Sequence, residues 1–242
     1  MEIKPTVMVI ADISGYTKFM SLHRVALLHA EVIITDLLET VTHSAQFPLK
    51  LNKLEGDAAF LYCDEVGDDP AAAINDIGNQ IVIIMNAFAD KHRLLSERSV
   101  GGCVCDACRH IGDLRLKAFA HYGDVVIKTT NGFTELGGEA PIVIHRMTKN
   151  NIHSDEYVMA SADFFRHLSK PVYPHEERGT ESYDSIGDVD FVAYFPEARD
   201  TALPDVPRLT RLTGIVEALR LFVVGIMGRG WRSKRAFANL PT

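Results

Sequence analysis

Two aspartates stand where a chain would place metal ligands. Residues 6–17 form an apolar, partly β-branched run that ends on Asp12 and breaks at Ser14-Gly15, the pattern of a buried strand that delivers one carboxylate to the mouth of a sheet. Asp57 follows the Glu55-Gly56 turn that joins two short strand patterns over residues 48–63. With that hairpin beside the first strand the two carboxylates meet, and paired carboxylates bind hard divalent cations, Mg²⁺ or Mn²⁺, through oxygen. The turn from Ile13 through Ser14 and Gly15, with Tyr16 opening the next helix, exposes backbone N–H groups to phosphate oxygens. Magnesium with a nucleoside triphosphate is the chemistry this suggests. The competing reading makes Asp12 a helix cap and Asp57 a turn acid.

A second set of candidate ligands is sulfur-based. Cys103, Cys105 and Cys108 place three of the four cysteines within six residues, His110 follows, and Cys63 ends a strand pattern. In a cytoplasmic chain such a cluster points to metal or redox chemistry before disulfides. Three thiolates with His110 or Cys63 would make a tetrahedral, structural Zn²⁺ site. Free or reversibly oxidised thiols and an iron–sulfur centre are the other readings, since the spacing is not that of a paired C-x-x-C knuckle. His121, beside Tyr122-Gly123-Asp124, reads as a strand histidine rather than a catalytic one.

These residues need elements to hold them. Residues 16–44 carry Val25, Leu28, Val32, Leu37 and Val41 mainly at three- or four-residue spacing, which predicts a helix packed on a core. Asp68-Asp69-Pro70 opens a second helix over about 70–95, with Ile74, Ile77, Ile81, Ile84, Met85 and Phe88 as its apolar stripe. Residues 99–113 read as a cysteine-rich insertion, residues 114–130 as a hairpin about Tyr122-Gly123-Asp124, Thr129 to Gly132 as a turn, and residues 138–150 as a helix. A strand over 156–160, a short helix capped by Ser161-Ala162-Asp163, a loop over 170–187 and a closing strand over 188–195 complete a domain of residues 1–196. Pro204 and Pro207 stiffen a linker over 197–207.

The tail, residues 208–242, is basic: Arg208, Arg211, Arg220, Arg229, Arg232, Lys234 and Arg235 face only Glu217 in acid. Its apolar stretch, Leu212 to Met227, is too short and too charged for a comfortable membrane span. The readings are a helix docked on its own domain, a dimerisation helix, and peripheral contact with an anionic membrane.

Composition bounds the class. The 242 residues are 47% hydrophobic and 24% charged, with mean hydropathy +0.03, a globular composition of one medium domain plus an appendage. A net charge of −7 and a pI near 5.8 argue against nucleic acid as a partner, which would need a basic surface. No leader pattern precedes the strand after Pro5, so the chain is expected in the cytoplasm.

Ala11 to Thr17, followed by Lys53 to Asp57, resembles the catalytic domain of the class III nucleotidyl cyclases, the adenylyl and guanylyl cyclase superfamily. Two further blocks keep that family's order: Leu114 to Val126 is similar to its central hairpin, and Glu135 to Met147 to its last active-site helix. The resemblance spans residues 6 to about 195 and points to an uncharacterised bacterial branch. It implies an α+β, ferredoxin-like sheet with helices packed on it, in a homodimer paired head to tail with the active site in the groove between copies. It implies Asp12 and Asp57 as ligands of two magnesium ions, the backbone of Ile13 to Gly15 near the phosphates, and Lys53 as the base-contacting lysine. Arg146 would stabilise charge on the transferring phosphoryl group from the partner chain. The implied activity is cyclisation of ATP or GTP: one metal lowers the pKa of the ribose 3′-hydroxyl, which attacks the α-phosphorus, and both neutralise the leaving pyrophosphate.

The chain departs from that pattern twice. Ile142 stands where the family has an asparagine that orients the ribose. Glu135 stands where adenylyl cyclases usually have an aspartate reading the adenine amino group, so base recognition is altered rather than lost. A cyclase is therefore weighed against a catalytically inactive nucleotide-binding or dimerising module with a structural zinc, and against a zinc-bearing, membrane-peripheral scaffold.

Overall fold

The computed structural model describes residues 1–21, 24–102 and 110–197, with the side chains of residues 24–26, 28 and 98–102 outside that description. Cys103, Cys105 and Cys108, the chain beyond residue 197 and the basic tail lie outside the described residues.

The central strand is β1 (Glu2–Ser14). It pairs antiparallel with β3 (Ala58–Cys63) on one side and, along its whole length, with β4 (Arg115–Thr130) on the other. Outside β3 lies β2 (Lys50–Glu55), and β5 (Phe133–Gly137) folds back on the end of β4. Next to β4, in parallel, runs β6 (Tyr157–Ser161), followed by β8 (Gly187–Phe195) and β7 (His175–Tyr183). Among the described residues this is an eight-stranded sheet ordered β2-β3-β1-β4-β6-β8-β7, with β5 paired to β4.

Strand alternation sends β1 to two cores, which is why its buried stretch Val7 to Ala11 is continuously apolar. Val7, Val9, Ala11 and Ile13 face α2 (Arg24–Ser44) and α3 (Pro70–Gly102), whose Ile74, Ile77, Ile81, Ile84, Met85 and Phe88 are all buried as the helical stripe requires. Met8 and Ile10 face the other way, with Phe60, Phe119 and Met159, beneath Ala140, Val143, Ile144 and Met147 of α4 (Glu139–Met147). Asp12 shares the parity of Met8 and Ile10 and so opens on the α4 side. Two short helices, α1 (Tyr16–Met20) and α5 (Ala162–Phe165), complete the fold. No helix among the described residues is long and apolar enough to cross a membrane.

The structure corrects several expectations. There is no hairpin at Tyr122-Gly123-Asp124: β4 runs straight through, with these residues paired to Val7, Thr6 and Pro5, and the chain reverses at Asn131 and Gly132, both with positive φ. Residues 170–187 are not a loop throughout, because His175–Tyr183 is the edge strand β7; its charged residues sit on the solvated margin of an antiparallel sheet, where apolar alternation is not required. The helix over residues 70–95 continues to Gly102, the one after Gly138 stops at Met147, and the helical region after Asp12 divides into α1 and α2. Val32, expected in the core, is 52% exposed, and Ile33 and Ile34 take its place.

Gly123 is needed for packing, not for turning. A Cβ there would lie 2.9 Å from Ala140 Cβ on α4 and 3.3 Å from His121 Nε2. Gly123→Ala is expected to push α4 off the sheet and lower stability by about 1–3 kcal/mol, read as a reduced urea midpoint; an unchanged midpoint would mean α4 shifts freely.

Candidate functional site

The acid pair comes from local structure. The β2–β3 turn carries Asp57 against the end of β1, where the Ile13 amide donates to the Asp57 carbonyl at 3.1 Å. Asp12 faces Ala58 on β3 and Lys117 on β4, and Lys117 in turn faces Tyr157 on β6. One row across four strands thus reads Ala58, Asp12, Lys117, Tyr157. Burial and, next, the negative charge of Asp57 push the Asp12 carboxyl up to about 6, against the opposing pull of Lys117. Burial also raises Asp57. Two half-buried carboxylates that raise the cost of ionisation are what a cation would relieve. Among the described residues no group of three or more His, Cys, Asp and Glu could hold a metal ion, so a divalent ion on Asp12 and Asp57 would complete its shell with water or ligand oxygens, as Mg²⁺ commonly does.

The turn at Ser14 and Gly15 follows directly. Gly15 (φ 88°) breaks β1, and its carbonyl accepts from the Phe19 amide in α1. The Ser14 hydroxyl donates to Asp155 Oδ1 at 2.9 Å. Tyr16 is half-buried, and burial, then the charges of Glu31 and Asp57, raise its phenol pKa.

Lys53 and Arg146 lie elsewhere. They line a cavity of about 590 Å³ between β2, β5 and α4, floored by Phe60, Leu136, Pro141 and Ile142 and rimmed also by His145 and Lys149. Lys53 Nζ is 3.1 Å from Glu55 Oε1, and His145 Nδ1 is 3.6 Å from Glu55 Oε2. The His145 ring stands edge-on to Phe60, with centroids 5.0 Å apart. Arg146 is exposed, and Ile142, 52% exposed, presents its side chain to the same space. Glu135 pairs with Lys128 on β4 and does not line this cavity, whereas its neighbour Leu136 does. Asp12 and Asp57 do not line it either, so the acidic pair and the cation-lined cavity are distinct features of one copy.

Other candidates have local partners. His110 Nδ1 lies 3.0 Å from Asp113 Oδ2, which Lys18 also approaches at 3.5 Å. Cys63 is buried in the core beneath α2 and α3, in no disulfide among the described residues, and burial raises its thiol pKa. His121 is buried, its Nδ1 2.7 Å from Ser161 Oγ, and burial lowers it to about 4.

Sequence reasoning missed Lys117, Asp155, His145 and Lys149. Lys117 becomes visible only through the β1–β4 register. Asp155 needs the loop between α4 and β6 to close on Ser14, and nothing local announces that.

Residues 34–157 match the model of a family described as "Protein of unknown function (DUF2652)". The chain is 28% identical over 174 residues to the uncharacterized protein Rv2561/Rv2562 of Mycobacterium tuberculosis, covering 72% of this chain and 78% of that one. Among solved structures it resembles the adenylyl cyclase CyaB from P. aeruginosa (TM-score 0.59, 11% identity, 82% of this chain and 97% of that one). It also resembles the guanylate cyclase domain of RhGC from Catenaria anguillulae in complex with GTP (TM-score 0.53, 14% identity, 80% and 97%). The fold is that of the nucleotidyl cyclase domains.

Proposed function

The chain belongs to the family described as Protein of unknown function (DUF2652), and from that membership and its cyclase fold we propose that it is a divergent nucleotidyl-cyclase-like protein. In this reading it binds a nucleoside triphosphate with Mg²⁺ or Mn²⁺ between two head-to-tail copies and cyclises it slowly. The observation that carries the proposal is the separation of an acidic half-site at Asp12 and Asp57 from a cationic cavity at Lys53 and Arg146. Each is half of what a metal–triphosphate needs, and a two-fold pairing supplies the other half.

Asp12 and Asp57 would hold the cations, whose chemistry when bound is to acidify the ribose hydroxyl and neutralise the leaving pyrophosphate. The backbone at Ser14 and Gly15 would meet the phosphates, whereas the Ile13 N–H is already donated to the Asp57 carbonyl. From the second copy, the apolar floor of the cavity takes the base beside Lys53, and Arg146 neutralises charge on the phosphoryl group in transfer. The 3′-hydroxyl gives up its proton to solvent, its oxygen bonds to the α-phosphorus, and the bond from that phosphorus to the leaving pyrophosphate breaks. Ile142 offers the ribose no hydrogen bond, which supports the second reading, binding without turnover; product detection by mass spectrometry separates the two.

Mixing tests the shared groove. Asp57→Ala and Arg146→Ala copies each lack one half-site, so neither alone is expected to bind a fluorescent ATP analogue with Mg²⁺. Random pairing of equal amounts would restore one intact groove in each mixed dimer, recovering about a quarter of wild-type sites. No recovery on mixing would sink the two-copy arrangement.

A further inference from the structure

Asp155 has an uncommon position for an acid. It lies in the loop between α4 and β6, beside the turn that would meet phosphates, and its Oδ1 accepts the Ser14 hydroxyl at 2.9 Å. The same oxygen is 3.9 Å from Lys117 Nζ. Lys117 is 21% exposed on its side chain, held 5.4 Å over the Tyr157 ring and one strand away from Asp12, whereas the Asp155 side chain is 77% exposed. A hydroxyl and an ammonium converging on one anionic oxygen is the donor arrangement that binds a phosphate oxygen.

We propose that Ser14 and Lys117 form a phosphate-contact pair and that Asp155 is its internal stand-in, held there until a nucleotide phosphate displaces it. The inference rests on the nucleotide reading above and deepens it by naming a contact and its competitor. The asymmetry of burial favours this sense of exchange. Lys117 is fixed by its strand and by the Tyr157 ring, so the donors stay while the acceptor changes. Asp155 is a single charge in water on a loop, and so exposed a pair holds weakly. A triphosphate brings several charges to the same donors, with Mg²⁺ at Asp12 relieving the repulsion between them. The loop contact therefore excludes weak monovalent anions from the turn and yields to a polyphosphate.

The test is calorimetric, on the full chain with Mg²⁺, with inorganic triphosphate and then ATP as titrants. Asp155→Ala is expected to bind triphosphate about fivefold tighter than wild type. Lys117→Met is expected to bind more weakly, and in that background Asp155→Ala is expected to lose most of its gain. Glu156→Gln removes a charge one residue away and controls for the general field; its affinity is expected to stay within about twofold of wild type. Equal or weaker binding by Asp155→Ala overturns the proposal, as does a gain that is undiminished without Lys117 or reproduced by Glu156→Gln. If wild type binds ATP and Asp57→Ala does not, while Asp155→Ala changes nothing, this inference falls and the nucleotide site stands. If neither wild type nor Asp155→Ala binds triphosphate or ATP, both fall.

Discussion

Asp12→Asn is expected to abolish the proposed Mg²⁺-dependent nucleotide binding and at the same time to make the folded chain more stable at pH 8. The first effect follows from charge: a neutral amide oxygen holds a hard cation far more weakly than a carboxylate does, and binding is expected to fall at least about 100-fold. The second follows from linkage. Burial and Asp57 hold the Asp12 carboxyl at about 6 in the folded chain, against about 4 when unfolded. Between those values the folded state keeps a proton that the unfolded state has released, so stability falls as pH rises through that window, and the full penalty remains above it. Two units correspond to about 3 kcal/mol, reduced to about 1–2 kcal/mol by solvent at this half-buried mouth. Denaturation midpoints of wild type and variant are therefore expected to converge near pH 4 and separate by pH 8. A variant that binds Mg·ATP normally would place the cation elsewhere, and one with no stability gain would mean that Lys117 already neutralises the site.

Ile142→Asn is expected to raise cyclic-nucleotide formation about 100-fold while leaving nucleotide affinity nearly unchanged. Ile142 lines the cavity that holds Lys53 and Arg146 and is 52% exposed on α4, so an asparagine fits without disturbing the core beneath. An amide there would hold the ribose in line, and orientation of a reacting group is worth about this much. Product assays at saturating nucleotide read the effect directly. A rate that does not move would mean that the attacking hydroxyl is misplaced for another reason, and a fall in affinity would mean that the isoleucine itself contacts the nucleotide.

Legibility in the sequence followed the range of the interaction. Asp12 and Asp57 could be placed together because each ends a short, strongly patterned segment and a hairpin is a local structure. The Ile74 to Phe88 stripe was legible for the same reason. Lys117 was not, because its place beside Asp12 depends on pairing two strands about a hundred residues apart. Gly123 misled in an instructive way: between an aromatic residue and an acid it reads as a turn, yet its real constraint is Ala140 arriving from another element. The β7 strand escaped notice because Pro171 and Pro174 precede it and its residues are mostly polar, leaving no apolar alternation to detect. The proximity of Asp12 and Asp57 was thus readable from spacing, whereas Lys53, Ile142 and Arg146, which line one cavity, were singled out only through the family resemblance.

The sheet ends on β7, which has a strand on one side only among the described residues. An open margin is a template for accretion, and proteins commonly blunt it with charge. This one carries Glu176, Glu177, Arg178 and Glu181. Were two copies to zip together margin to margin in antiparallel fashion about Gly179, Glu177 would oppose Glu181 twice, like charge against like. Pairing of copies along this margin is therefore disfavoured even at high concentration.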